Sequence, residues 1–354
     1  MTLCRLQVSD FRCLQSVSID LDPRFTLISG ANASGKTSLL EAIYVLGRGR
    51  SFRTRRLEHL IRLGRGRFVV FGEADSLERR VSLGVEGSSA GIRAKLGGDR
   101  VKSLAELAPL LPVQIIDPEI HRLIEEGPSR RRRFLDWGVF HVEPRFVDDW
   151  QRYQQALKQR NAGLRARQPR GVTVAWDTDV VRYGEAISLA RRRYVELLRA
   201  GAAATTQRLM GMTLDISYRQ GWAQGASLAE ALGQSWGHDQ ESGATQFGPH
   251  RAELVIRLNE MSVKDRISRG QQKLLAAALL MAQLKLFPLD SAVRPTLLLD
   301  DPAAELDDGR LTGLINEVSS HFVQLVVTTL HPEFSKFGSP GLQYRIEAGE
   351  LAAA

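Results

Sequence analysis

From Leu3 to Ser29 apolar and polar positions alternate in short runs: Leu6 and Val8, then Val17, Ile19 and Leu21, then Phe25 and Leu27, interrupted at Asp22-Pro23. Alternation with a period of two predicts a meander of strands, the last of which ends at Gly30. From Thr37 the period lengthens, and Leu39, Leu40, Ile43, Tyr44 and Leu46 form a helical stripe closed by Gly47 and Gly49. A short glycine-bearing loop therefore joins a strand to a helix. Strand-like segments return over 67–75 and 79–85, and the glycines and serines between Gly84 and Gly98 predict hairpin turns.

The pattern changes after Pro118. Phe146, Trp150, Tyr153, Leu157 and Leu164 recur at helical spacing, as do Tyr183, Ile187, Ala190, Tyr194 and Leu197. Two long helices that face each other are predicted, with polar Arg165 to Thr173 as the turn between them. A weaker region, Gly211 to Thr245, leads back to strand-like Leu254 to Leu258. Further on, a helix opens at Ser268, and the apolar run Thr296-Leu-Leu-Leu299 ends in Asp300-Asp301. A second run, Phe322 to Val327, ends in Thr328-Thr329. Continuous apolar runs predict strands buried on both faces, and open α/β sheets bind ligands at such strand ends.

At 354 residues, 43% hydrophobic and 25% charged, the chain has the composition of a folded protein of two domains, or of one with a sizeable insertion. Its net charge of +8 favours polyanionic partners. The N-terminus lacks a signal pattern and no apolar run is long enough to span a membrane, which predicts a cytoplasmic protein. Cys4 and Cys13 have neither zinc spacing nor the number for a disulfide framework, and are expected to be small buried core thiols.

Gly30-Ala-Asn-Ala-Ser-Gly-Lys-Thr37 satisfies G-x-x-x-x-G-K-[ST] in the strand–loop–helix context that motif requires. Loop N–H groups would surround a β-phosphate, Lys36 would reach the β- and γ-oxygens, and Thr37 would ligate magnesium. Asp300 is placed to hold the metal, and Asp301 to orient or deprotonate the attacking water. The alternative for this pair is a solvated acidic strand end. Ser268-Arg-Gly-Gln-Gln-Lys273 puts a hydroxyl, a glycine and several N–H groups at a positive helix end. That makes either an ordinary serine cap or a second anion site, whose simplest use is to clasp the γ-phosphate held by another copy.

Together these pieces resemble the ATP-binding-cassette ATPases of the SMC-like branch over nearly the whole chain. The resemblance rests on Leu6 to Arg12 with its Asp-Phe-Arg, Gly30 to Glu41 followed by Ala-Ile-Tyr, and Gly47 to Arg53. It continues through Gly127 to Trp137, Lys158-Gln-Arg-Asn161, Ser268 to Lys273 and Leu297 to Asp307. It implies an α/β fold: an ABC/SMC-type P-loop head of mixed sheet and flanking helices from 1–120 and 238–354, with an inserted helical lobe over 121–237. The implied cofactors are ATP and Mg2+, held by Gly30, Ala31, Asn32, Ala33, Ser34, Gly35, Lys36, Thr37 and Ser38 with Arg12. Also implied is an ATP-dependent homodimer, in which Ser268, Arg269, Gly270, Gln271 and Asp307 of one subunit complete the site around Lys36 of the other. Members of the branch in bacterial recombinational repair bind DNA at gaps and aid loading of the RecA recombinase with RecR and RecO. The resemblance further implies slow, DNA-dependent ATP hydrolysis that releases the dimer, and a place at the nucleoid.

Ala33 departs from the glycine many relatives carry, which adds a Cβ near a tight turn and is expected to weaken nucleotide binding without abolishing it. The γ-phosphate sensor falls among Thr328, Thr329 and His331, and Gln114 precedes a metal-contacting loop in cassette ATPases. Arg48, Arg50, Arg53, Arg55 and Arg56, and the run Arg130, Arg131, Arg132 and Arg133, suit sequence-independent contacts to a DNA backbone, or are solvated faces. Sparse aromatics near them, Phe52 and Phe134, make base stacking a minor expectation. Two rivals remain: the ATPase subunit of a membrane transporter, and a structural DNA clamp that hydrolyses ATP only incidentally. The long inserted helices, Asp301 in place of glutamate and the lack of a clear sensor histidine argue against the transporter.

Overall fold

A computed structural model describes residues 1–75, 80–101, 106–263, 267–287, 292–305, 308–319, 323–331 and 336–352. The chain divides into two units, Met1–Ile120 with Phe287–Ala354, and His121–Leu286.

In the first unit the meander forms as the alternation requires. Thr2–Phe11 pairs antiparallel with Leu14–Asp20 on one side and Arg67–Asp75 on the other. Arg80–Ser88, Gly91–Leu96 and Asp99–Arg100 extend this sheet to six strands. A second, mixed sheet has the order Glu350–Ala352, Leu342–Glu347, Phe25–Ser29, Gln324–Thr329, Thr296–Asp300, Val113–Ile116. Its five longer strands run parallel, with only Glu350–Ala352 antiparallel. The strand of the second apolar run thus begins at Gln324, and Phe322 lies outside the described residues.

The helix Lys36–Arg48 packs against strands of both sheets. The sequence predicted one apolar stripe, yet every residue from Ser38 to Gly47 is buried, because a layer of sheet lies on each side. Gly47 does not close the helix. It lies inside it, where a Cβ would press on the Leu111 carbonyl and Val113, and the end is made by Gly49 in the left-handed region (φ 62°), its N–H bonded to the Val45 carbonyl. The two cysteines correct another expectation. Cys4 is half-buried, its thiol donating to the Glu73 carbonyl at 3.2 Å, and Cys13 is exposed in the turn between the first two strands.

The second unit holds the two long helices, Phe146–Arg165 and Asp177–Met210, packed on each other. The link between them is not a plain turn, since Arg170–Val174 forms a short helix. This unit runs past the expected bound at Gly237 to Leu286. The physical reason is pairing: Glu253–Leu258 matches Leu214–Arg219 over its full length, and Arg269–Leu284 packs along Asp177–Met210. Here the Lys158 to Asn161 stretch shows its use. Arg160, fully buried, donates to Asp177 at 2.6 Å, Asp239 at 2.7 Å and Thr245 at 2.8 Å, while Asn161 accepts from the Thr245 backbone and hydroxyl. A buried charge is tolerated only with partners of this kind.

Candidate nucleotide site

The loop starts where the fully buried strand Phe25–Ser29 leaves the mixed sheet. At Gly30 a side chain would collide with the Ile346 carbonyl and the Ser34 hydroxyl, so the backbone there approaches the neighbouring strand as only glycine permits. Gly35 caps the helix at φ 114°, and no side chain occupies its cap position. The first-turn N–H groups of Lys36–Arg48 are therefore not taken by a capping oxygen, which suits an anion. Ala33 sits at φ 61°, a left-handed conformation that explains why glycine is the easier residue at that place.

Lys36 is buried and its ammonium donates to the Gly30 carbonyl at 2.7 Å and the Ala31 carbonyl at 2.8 Å. Burial lowers its pKa, against the opposing pull of the carboxylates of Asp301 and Asp300. Ser34 and Ser38 are also buried, and the Ser38 hydroxyl accepts from the Cys13 thiol at 3.5 Å.

Parallel pairing brings the ends of three strands to this loop. The Thr37 hydroxyl lies 3.0 and 2.9 Å from the two oxygens of Asp300, joining residues 263 positions apart. Thr328, paired with Asp300 in the ladder, donates its hydroxyl to Asp300 Oδ1 at 2.8 Å. Asp301 has φ 46°, and its N–H reaches both the Thr328 carbonyl at 3.2 Å and the Thr328 hydroxyl at 3.1 Å. No group of three or more His, Cys, Asp or Glu that could hold a metal ion occurs among the described residues. A magnesium at a phosphate loop needs none, because a threonine hydroxyl, one carboxylate and the phosphates supply its oxygens. Thr37 and Asp300, already touching, fit that requirement.

Arg12, also left-handed at φ 54°, does not stand alone. It forms a bidentate pair with Glu41, both bonds 2.8 Å, and Glu41 is completely buried. The Ser51 hydroxyl donates to the same carboxylate, and Arg53 Nη1 lies 3.9 Å from it. Sequence reasoning gave Glu41 no role. The available signal was a lone carboxylate in the apolar stretch Leu39-Leu40-Glu41-Ala42-Ile43.

Several of the other expected site residues have local partners of their own. Ser268 and Gln271 are the two halves of a capping box: the Ser268 hydroxyl accepts from the Gln271 N–H at 3.3 Å, and the Gln271 side chain accepts from the Ser268 N–H at 2.9 Å. Arg269 is exposed at the first turn of that helix and Gly270 follows it half-buried. Asp307 lies outside the described residues. Gln114 is buried within Val113–Ile116, beside Leu297 in the ladder. The Thr329 hydroxyl accepts from the His331 N–H at 3.1 Å, and His331 itself is exposed.

The arginine clusters are less uniform than their spelling. Arg50, Arg53, Arg55 and Arg56 are exposed, but Arg48 is half-buried over the Tyr44 ring, its pKa pushed down to about 10 by burial. Arg131 pairs with Glu253 at 2.7 Å and bonds the Ile124 and Glu126 carbonyls, and Arg132 donates to the Ala252 carbonyl at 2.8 Å. These two are committed to the unit's own packing. Arg130 pairs with Glu126, and Arg133 bonds the Ser129 carbonyl.

A phosphate loop on a mixed sheet, met by an acidic strand end, defines a P-loop ATPase head, and the family model described as RecF/RecN/SMC N terminal domain matches residues 2–346. At 17% identity and TM-score 0.61 the fold is also similar to that of a solved Smc head bound to the C-terminal winged-helix domain of ScpA, covering 100% of this chain and 97% of that one. The DNA replication and repair protein RecF of Pectobacterium atrosepticum is 38% identical over 355 residues, 99% of this chain and 98% of the relative. A solved RecF–ATP structure, described as the recombination mediator protein in the RecFOR pathway, matches at TM-score 0.90 and 26% identity, over 99% of this chain and 97% of that one. The chain belongs to the RecF family of DNA replication and repair proteins. Among the described residues, no helix is long and apolar enough to cross a membrane.

Proposed function

We propose that this protein binds Mg2+–ATP at Gly30 to Ser38 with Arg12, dimerises on it, and in that state grips DNA at gaps during recombinational repair. The observation that carries the nucleotide reading is the contact of Thr37 with Asp300 across the sheet, supported by the RecF–ATP relative. Lys36 and Thr37 hold the phosphates and the metal, Asp300 holds the metal, and Asp301 orients the attacking water. Ser268, Arg269, Gly270, Gln271 and Asp307 of a second copy complete the site. Hydrolysis is slow, DNA-dependent, and releases the dimer. RecR and RecO act with it in loading RecA, in keeping with the RecFOR pathway named for the relative. The setting is the cytoplasm. The helical lobe and the head act as separate working parts, and Arg50, Arg53, Arg55 and Arg56 carry the DNA backbone contacts.

Substituting Lys36 with Met tests this. Equilibrium binding of a fluorescent ATP analogue should be lost, and ATP-dependent dimerisation followed by light scattering should vanish with it. Dimers that persist in Lys36→Met would sink the mechanism.

A further inference from the structure

We infer that Thr328 is a positioning residue of the ATP site, whose hydroxyl sets the Asp300 carboxylate and the Asp301 backbone as one unit and so tunes how the site takes magnesium with nucleotide. This rests on the reading of Gly30 to Thr37 as a Mg2+–ATP site.

Thr328 is fully buried on the strand Gln324–Thr329, directly after Val326 and Val327. Packing alone would accept a third valine there, since valine has the same shape and carries no polar atom to desolvate. The hydroxyl is used in both senses. Its single proton goes to Asp300 Oδ1 at 2.8 Å, with the Leu299 carbonyl a longer second acceptor at 3.4 Å, and its lone pair accepts from the Asp301 N–H at 3.1 Å. Thr37 meets the same carboxylate from the phosphate loop, so Asp300 is held by hydroxyls from two different elements. The orientation of its oxygens is then fixed by the protein, before any cation draws on them.

Asp301 is the second part of this unit. At φ 46° it occupies a region that residues other than glycine visit rarely, and such a conformation persists only where the surroundings over-determine it. Here one residue supplies both acceptors for its N–H, the Thr328 carbonyl at 3.2 Å and the Thr328 hydroxyl. Replacing the hydroxyl by a methyl group keeps the carbonyl bond and the strand. It removes the link between the two acids and, with it, only the longer contact to the Leu299 carbonyl.

The test uses the full chain with Thr328→Val and Thr328→Ser. Binding of a fluorescent non-hydrolysable ATP analogue is titrated against magnesium, and hydrolysis is measured alongside, with circular dichroism confirming that each variant is folded. In Thr328→Val the magnesium midpoint should rise about tenfold, the scale expected for losing a hydrogen bond to a charged group, while binding without magnesium stays at the wild-type level. The turnover rate should fall with it, and Thr328→Ser should restore both. A wild-type midpoint in Thr328→Val overturns the inference and leaves the ATP reading standing, as does a serine variant that behaves like valine. A wild type without magnesium-dependent binding overturns both together.

Discussion

Ala33 at φ 61° and Asp301 at φ 46° are both left-handed, at the two ends of the same site. Asp301 has Thr328 to hold it, whereas the cost at Ala33 lies in the loop itself. A left-handed alanine costs about 1–2 kcal/mol, more than the roughly 0.4–1 kcal/mol of unfolded-state entropy that a glycine adds. Ala33→Gly is therefore expected to stabilise the protein slightly, raising the thermal midpoint by about 2 °C in nucleotide-free calorimetry. A lower midpoint would show that the loop prefers the side chain. At the same scale, the buried Glu41 explains why the Asp-Phe-Arg turn and the segment from Ser51 to Arg53 belong together. One carboxylate gathers Arg12, Ser51 and Arg53 against the phosphate-loop helix.

Among elements, the tie between the helix Phe146–Arg165 and the segment after Ser242 is polar as well as apolar. Tyr153 and His250 face each other at 2.6 Å through Nδ1, and His250 Nε2 lies 3.0 Å from the Thr245 carbonyl. A carbonyl only accepts, so Nε2 carries the proton and Nδ1 accepts from the tyrosine. Burial, which outweighs the Thr245 hydrogen bond, with nearby Arg251 and Arg132, pushes the His250 pKa down to about 4. An unfolded histidine titrates near 6.5, so the unfolded chain takes the proton first as pH falls. The stability this residue contributes is complete above about pH 6.5 and drains away between there and about pH 4. Urea unfolding of the wild type should weaken over that window, and His250→Gln should show a visibly smaller loss. Equal losses would place the acid sensitivity elsewhere.

At the scale of the whole molecule the proposed dimer depends on the Ser268 helix, and its capping box complicates the obvious experiment. Ser268→Arg should leave ATP binding by the monomer intact and block ATP-dependent dimerisation, but it also removes a cap worth about 1 kcal/mol. Ser268→Ala removes the cap without the bulk. Dimerisation blocked by arginine and weakened but not lost with alanine supports the clasp across subunits, while dimers that survive Ser268→Arg refute it. DNA binding is checked by titrating salt with and without a non-hydrolysable ATP analogue. A grip gated by nucleotide requires much tighter binding with the analogue and a steep salt slope from the exposed arginines. Equal affinity in both states would remove nucleotide gating from the proposal.

The sequence alone determined the parts whose chemistry is local. A phosphate loop needs its glycines, lysine and threonine within eight positions, and a strand buried on both faces announces itself as an apolar run, so Gly30 to Thr37 and Leu297 to Asp301 were legible directly. The two long helices were legible too, because their periodicity continues over many turns. Only the tertiary structure decided what meets across the chain. Thr37 and Asp300 touch because Phe25–Ser29, Gln324–Thr329 and Thr296–Asp300 run parallel in one sheet. The burial of the phosphate-loop helix on both sides follows from both sheets packing against it, an arrangement that no periodicity reveals. For the same reason Arg131 and Arg132, spelled like their neighbours, are held by Glu253 and Ala252. Charge is written in the sequence, but its partner is chosen by the fold. The loop at Gly30 was readable because its glycines, lysine and threonine are neighbours in the chain, whereas the contacts of Thr328 with Asp300 and Asp301 came into view only once strands far apart in the chain lay side by side.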